Sequence, residues 1–193
     1  MISLASGALA QDKSGLAALT QELDGNKLLP EKIKVFAKDK LLPLVSNEIW
    51  VKEVTAQNAK NVSIDEIKKL DQAWIAAVES KQPETALQKE KLSNACALEI
   101  KKIIQSLPAI VEAFVMDNQG AVVGENNLTS DYWQGDEPKW TKSYNAAKGG
   151  MAIGEPKIDK SVGKVLQQIS LPILDTNGKV IGAVTFGLAI DKL

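Results

Sequence analysis

A chain of 193 residues that is 45% apolar can bury a sizeable core, which excludes a disordered polymer and fits one domain with or without a helical extension. Its 23 basic residues balance 24 acidic ones, so it carries no electrostatic footprint for nucleic acid or an anionic membrane surface. It has no histidine, the usual general base and zinc ligand, and its one cysteine, Cys96, cannot form an internal disulfide; no metal or other cofactor is expected, and enzymes become the least favoured class.

The chain opens on a small apolar stretch, Ile2 to Ala10, in which Ala8-Leu9-Ala10 before Gln11 has the small-x-small form of a signal-peptidase site. Residues 1–10 are therefore read as the remnant of a leader, and the protein as periplasmic or otherwise exported; the alternative is a frayed apolar terminus. No apolar run approaches the roughly 20 residues of a membrane span, so direct membrane insertion is not expected.

Up to about residue 110 the periodicity is helical. Ile33, Phe36, Ala37, Leu41, Leu44 and Val45 share one face of a helix that Pro43 should kink or interrupt. Ser63-Ile64-Asp65-Glu66 has the form of a capping box, followed by the stripe Ile67, Leu70, Trp74, Ala77 and Val78. Leu92, Ala95, Cys96, Ile100, Ile103, Ile104 and Leu107 predict a third helix, ended by Pro108. These stripes read as core, and Cys96 among them as a small buried hydrophobe.

Beyond residue 110 the signal changes to strands. Asp-x-x-Gly-x-Val-(Val/Ile)-Gly occurs twice, at Asp117–Gly124 and Asp175–Gly182, each time behind an apolar run. The aspartate can open a turn through its side chain, the glycine supplies a positive φ, and the β-branched pair resumes the strand. Two hairpins follow: Glu112 to Met116 with Ala121 to Gly124, and Lys164 to Leu174 with Lys179 to Ile190. Alternation in the last strand puts Val180, Val184, Phe186, Leu188 and Ile190 on one face. The small residues Ala183, Thr185, Gly187 and Ala189 fall on the other, where a ligand or backbone can approach closely. Pro172 inside the preceding strand predicts a bulge or an unpaired position. Asp175-Thr176-Asn177-Gly178 lacks the spacing of a calcium loop and is read as a turn.

Between the hairpins, Asp136 to Lys148 can form a helix capped by Asp136, with Pro138 in its first turn and Gly149-Gly150 at its end; a strand over Met151 to Ile158 follows. Both tyrosines and two of the four tryptophans lie between residues 132 and 144, a concentration suited to an organic ligand or, equally, to plugging a small core.

At this level the chain resembles the Cache family, extracytoplasmic PAS-like sensor modules of bacterial receptors. The closing stretch Gln168 to Val184, with its internal proline and Asp-x-x-Gly-Lys-Val-Ile-Gly turn, is similar to that family's last hairpin. Gly154 to Lys164 resembles its Glu-Pro-Tyr-x-Asp-x-x-Thr-Gly-Lys segment, and Asp136-Glu137-Pro138-Lys139-Trp140 with Tyr144 resembles its Arg-x-Trp-Tyr helix. The likeness covers residues 84–193 and implies an α+β fold: N-terminal helices, then a mostly antiparallel five-stranded sheet with one face on a long helix and the other roofing a ligand pocket. Residues 11–83 become a helical extension of the domain at 84–193. Amino-acid-binding members use helix residues for the ligand carboxylate and an aspartate after the third strand for its ammonium. Here Lys139 directly precedes Trp140, Thr141 replaces a tyrosine and Lys157 replaces another, so Trp140 and Asp159 carry over most directly.

The candidate ligand-binding residues are accordingly Tyr132, Trp133, Lys139, Trp140, Tyr144, Lys157 and Asp159, with no catalytic residue expected. The function expected is an extracytoplasmic sensor module binding a small carboxylate-bearing ligand in signal transduction, without its own membrane span or output domain and acting through a membrane-bound signalling partner. The competing reading is a structural or adaptor protein with a vestigial pocket that works through helix contacts. Homodimerisation along the helices is compatible with both.

Overall fold

The β-branched runs of the C-terminal half pair into one antiparallel sheet in a computed structural model that describes residues 5–27, 29–81, 83–159 and 164–193, with the side chains of 5–14, 159 and 164 left aside. Strands β1 (Ile110–Met116), β2 (Val122–Glu125), β3 (Ala152–Ile153), β4 (Lys157–Asp159), β5 (Lys164–Leu174) and β6 (Val180–Ala189) take the order β2-β1-β6-β5-β3, with β4 also on β5. The α+β class and the PAS-like antiparallel sheet are thus present.

The repeated turn motif works twice by the same chemistry. Asp117 Oδ1 accepts the backbone N–H of Gln119 at 2.8 Å and of Ala121 at 2.9 Å; Asp175 Oδ1 accepts those of Asn177 at 2.8 Å and Lys179 at 2.9 Å. Gly120 and Gly178 close the turns at φ +86° and +74°, where a side chain would be strained.

One sequence expectation needs correction in this sheet, and at Pro172 the unpaired position rather than the bulge is what forms. The strand over Met151 to Ile158 is split at Gly154-Glu155-Pro156 into β3 and β4, which lie one after the other along β5 and share the sheet's fifth position. Pro172 causes no bulge: it pairs in register with Ala183, and the irregularity falls at Ile173/Leu174. The Gln168 carbonyl and the Leu174 N–H both point away from β6, to Gly154 and Val45. By alternation the nitrogen of Pro172 points the same way, past the end of β3, where no strand needs a donor.

Among the described residues, seven α-helices accompany the sheet: α1 (Ala5–Gly25), α2 (Glu31–Phe36), α3 (Glu48–Ala59), α4 (Ile64–Glu79), α5 (Ala86–Ser93), α6 (Ala95–Ser106) and α7 (Pro138–Tyr144). The Ala8-Leu9-Ala10 site lies within α1; residues 1–4 lie outside the described residues. The helix interrupted by Pro43 is α2, which passes through a π-turn at Ala37–Leu41 into a 3-10 turn at Leu42–Leu44. Ser63 caps α4 by accepting the Glu66 N–H, and both arms of a capping box join Thr85 and Gln88. The single helix expected across Leu92 to Leu107 is instead two. Asn94 breaks it by accepting the Ala97 N–H as the cap of α6 while donating to the Val123 carbonyl at 2.7 Å.

One sheet face, carrying Val115, Ile169, Leu171, Ile173, Val184, Phe186 and Leu188, packs into a single cluster with Leu19, Leu23, Ile33, Leu41, Trp50, Val54 and Ile100. Trp50 and Phe186 meet with ring centroids 6.1 Å apart. The face is therefore covered by α3 and the N-terminal helices as well as α6, and the core crosses the 83/84 division read from the sequence. A buried polar junction fixes the helices to the first turn: Lys91 Nζ donates to Gln57 Oε1 at 2.7 Å and pairs with Glu90 at 2.8 Å, while Gln57 Nε2 donates to Asp117 Oδ2 at 2.9 Å. α4 stands apart, sharing a smaller cluster of Ile67, Trp74, Ala121, Val122 and Tyr132.

Candidate functional site

The opposite sheet face carries the small residues, and α7 lies across it. Pro138 supplies a preset φ in the first turn of α7, and Glu137 rather than Asp136 holds the cap position. The helix stops at Tyr144, four residues short of the expected Lys148. Asn145, Ala146 and Ala147 all take left-handed φ, at 49°, 50° and 64°, which a right-handed helix cannot continue.

Under α7 the floor is polar. Ser170 and Thr185 share a buried hydroxyl hydrogen bond of 2.8 Å, and Gln168 Nε2 donates to Glu112 Oε2 at 3.1 Å. Gly187 makes room for that pair, since a Cβ there would lie 3.0 Å from both Cβ and Oε2 of Glu112. Two adjoining cavities open over this floor. The inner one, about 180 Å³, is lined by Glu137, Lys139, Lys142, Ile153, Lys157, Gln168 and Ser170 among others. An outer one, about 360 Å³, shares Glu137, Lys139, Lys157 and Gln168 with it and adds Glu112, Glu155 and Leu166. Lys139 is half-buried, its ammonium 3.1 Å from Glu137 and 5.3 Å from the centre of the Phe114 ring; Lys142 and Lys157 stand exposed at the rim.

The structure brings Lys139 and Lys157 together, one from α7 and one from β4, and divides the aromatic residues among three places. Trp140 and Tyr144 stack at 4.9 Å over Phe114, Met116 and Ala183, and the Trp140 indole N–H is spent on the Asp117 carbonyl at 3.0 Å; neither ring lines the two cavities. Tyr132 is buried against Trp74 of α4 at 5.6 Å, and that burial pushes its phenol pKa up. Trp133 lines a separate open cleft of about 410 Å³ with Lys68, Asp71, Asp131 and Asp136. Its backbone N–H donates to Asp71 at 2.9 Å, and its ring lies under the Lys68 ammonium at 4.7 Å. Asp159 has its backbone in β4 opposite Lys164, and its side chain lies outside the described residues.

Glu112, Lys142, Gln168 and Ser170 were not among the candidates read from the sequence. A signal for two of them was there: Gln168-Ile169-Ser170-Leu171 alternates polar and apolar inside a strand, which puts two hydrogen-bonding side chains on one face. The chain contains no arginine, so any carboxylate here meets ammonium groups rather than a bidentate fork. No group of three or more Cys, Asp or Glu among the described residues is placed to hold a metal ion.

No family model and no curated protein matches the chain. Among the solved structures it resembles are three sensor or ligand-binding domains. That of the histidine kinase DctB from V. cholerae is 11% identical, with a TM-score of 0.44 over 95% of this chain and 57% of that one. The ligand-binding domain of Campylobacter jejuni chemoreceptor Tlp3 in complex with L-valine is 13% identical, with a TM-score of 0.37 over 98% and 65%. That of the Pseudomonas aeruginosa amino-acid chemoreceptor PctC in complex with GABA is 11% identical, with a TM-score of 0.36 over 76% and 62%. The chain therefore spans between about three-fifths and two-thirds of the length of these domains. The chain itself has helices on one face of a mostly antiparallel sheet and a short helix roofing the other.

Proposed function

We propose that this chain is an extracytoplasmic sensor module that binds a small, carboxylate-bearing organic ligand between α7 and the sheet. The observation that carries the reading is the meeting of Lys139 and Lys157 on one cavity, together with Lys142 and above a hydrogen-bonding floor of Gln168 and Ser170. Ammonium groups with donors beside them bind a carboxylate by charge-assisted hydrogen bonds, and such bonds gain strength where one wall is protein. The polar floor argues against a vestigial pocket filled by side chains, which the adaptor reading requires. Export rests on the small-x-small stretch at Ala8 to Ala10, and no helix among the described residues is long and apolar enough to cross a membrane. Signalling would pass through a membrane-bound partner.

A thermal-shift screen of small mono- and dicarboxylates, followed by calorimetry, tests the site. Lys157→Ala should weaken the best compound about tenfold, the value of one exposed-rim, charge-assisted contact at roughly 1.4 kcal/mol. Trp140→Phe should leave affinity within about twofold, because its ring lies beneath the helix. Carboxylates that bind equally well to the Lys157→Ala and Lys139→Ala variants would move the ligand elsewhere. N-terminal sequencing of native protein decides export, with Gln11 the expected first residue.

A further inference from the structure

Glu125 sits in β2 with none of its surface exposed. Its Oε2 accepts the Thr129 N–H at 3.1 Å, the Thr129 hydroxyl also favours its charged form, and its Oε1 has no hydrogen-bond partner. It is the cross-strand partner of Phe114, on the side of the sheet that α7 covers. Two charged groups act on its carboxyl from a distance. Glu112 of β1 disfavours a negative charge there; Lys91 of α5 favours it, but its ammonium is already bonded to Gln57 and Glu90. Lys139 of α7 is held by Glu137 and the Phe114 ring. α6 and α3 meet β2 through Cys96, Ala97 and the neutral Gln57 amide, not through a charge. Beyond Thr129, the charged groups toward α4 are the acids Asp131 and Asp71 and, over the Trp133 ring in the same cleft, Lys68. A carboxylate at this position is thus buried without an ion pair among the described residues, and burial pushes its pKa up to about 7.

Thr129 connects this carboxyl to a helix. Its N–H binds Glu125, and its carbonyl accepts the Trp74 indole N–H at 2.9 Å. Trp74 is 1% exposed and is the main anchor of α4, which the separate cluster of Ile67, Ala121, Val122 and Tyr132 joins to the rest. A helix fixed by so small a cluster is a natural unit for sub-global opening.

We propose that Glu125 is a proton-operated latch for α4. Protonated, the carboxyl also leaves its O–H without a partner, but a neutral group costs less to bury than a charge, so it remains beneath the loop of residues 126–131 and Thr129 keeps Trp74 docked. Ionised, with its proton passed to water, it leaves a half-charge on Oε1 that only water can satisfy; the loop lifts to admit it, the Thr129–Trp74 bond breaks and α4 is released. The latch stands independently of what the pocket under α7 binds. The sign follows from linkage: a carboxyl near 4.5 when hydrated and near 7 when docked favours docking at low pH and loses it as pH rises between those values. The docking constant should fall on the order of a hundredfold between pH 4.5 and 8.5.

Amide hydrogen exchange on the full chain, corrected for the intrinsic rate at each pH, measures this. Protection of residues 64–79 should fall by that factor while β5 and β6 hold theirs. Glu125→Gln, close in shape and without the charge, should abolish the dependence, and Asp71→Asn should retain it. A ¹³C titration of the Glu125 carboxyl in the unmodified protein, which does not depend on a variant folding, should show a midpoint near 7. Protection of α4 that ignores pH, a fall that survives Glu125→Gln or depends on Asp71 instead, or a carboxyl midpoint near 4.5 would each overturn the latch.

Discussion

Removing the Gln57 amide should cost more than its size implies, because buried groups on two sides use it. Lys91, 3% exposed, would keep Glu90 and lose its bond to Gln57 Oε1; Asp117 would lose its donor at Oδ2 in the turn that also receives the Trp140 indole. Gln57→Leu is expected to destabilise the fold by about 2–4 kcal/mol, the range for stranding buried polar and charged partners. Adding Lys91→Met should recover part of that loss, since the double change removes the stranded ammonium as well. Urea midpoints of the two variants at equal m-value check both statements. The same scale shows what a sequence conceals. Composition reveals that rings gather at residues 132–144, but not that Tyr132 turns to Trp74, far upstream, while Trp140 turns to the sheet. Side-chain direction depends on contacts made by distant segments, whereas the Asp117 and Asp175 turns are set within five residues and were legible for that reason.

Elements with local causes were read well, and those with long-range causes were not. β5 and β6 follow from alternation and from a turn with its own hydrogen bonds. The break at Asn94 does not: it depends on the Val123 carbonyl and on Gly124, where a Cβ would come within 2.9 Å of the Ala97 nitrogen and of Asn94 Oδ1. Nothing in Leu92 to Leu107 alone announces that strand. The end of α7 is a similar case, since Ala146 and Ala147 have good helix propensity yet lie at φ 50° and 64°. A left-handed residue with a Cβ costs about 1–2 kcal/mol, and glycine avoids that cost. Ala147→Gly should therefore stabilise the protein by about 0.5–1 kcal/mol in spite of the entropy it adds to the unfolded chain. Differential scanning calorimetry reads it as a rise of a few degrees in Tm; a fall would mean the segment is not left-handed in solution.

For the whole molecule, the decisive fact is that the sheet shares its core with residues on both sides of the division at 83/84. Trp50 and Val54 pack on β6, and the Val45 carbonyl receives the N–H of Leu174 at the β5 bulge. Deleting residues 1–83 would expose the face that Leu23, Ile33, Leu41, Trp50 and Val54 cover, each worth about 1.5–3 kcal/mol when buried. Together these come to about 7.5–15 kcal/mol, as much as the whole 5–15 kcal/mol of a typical folded domain. The fragment 84–193 should therefore show no cooperative unfolding transition, although its strands and the α6 seam are intact in sequence. Cys96 provides a second readout. Its thiol is buried in α6 against β2, and that burial pushes its pKa up, so in the full chain it should react with a thiol reagent only through opening of the core. In the fragment it should react at nearly the rate of an unfolded peptide. Cooperative unfolding of the fragment with Cys96 still protected would show instead that α6 alone suffices to cover the sheet and that the N-terminal helices are a dispensable layer on a self-sufficient domain.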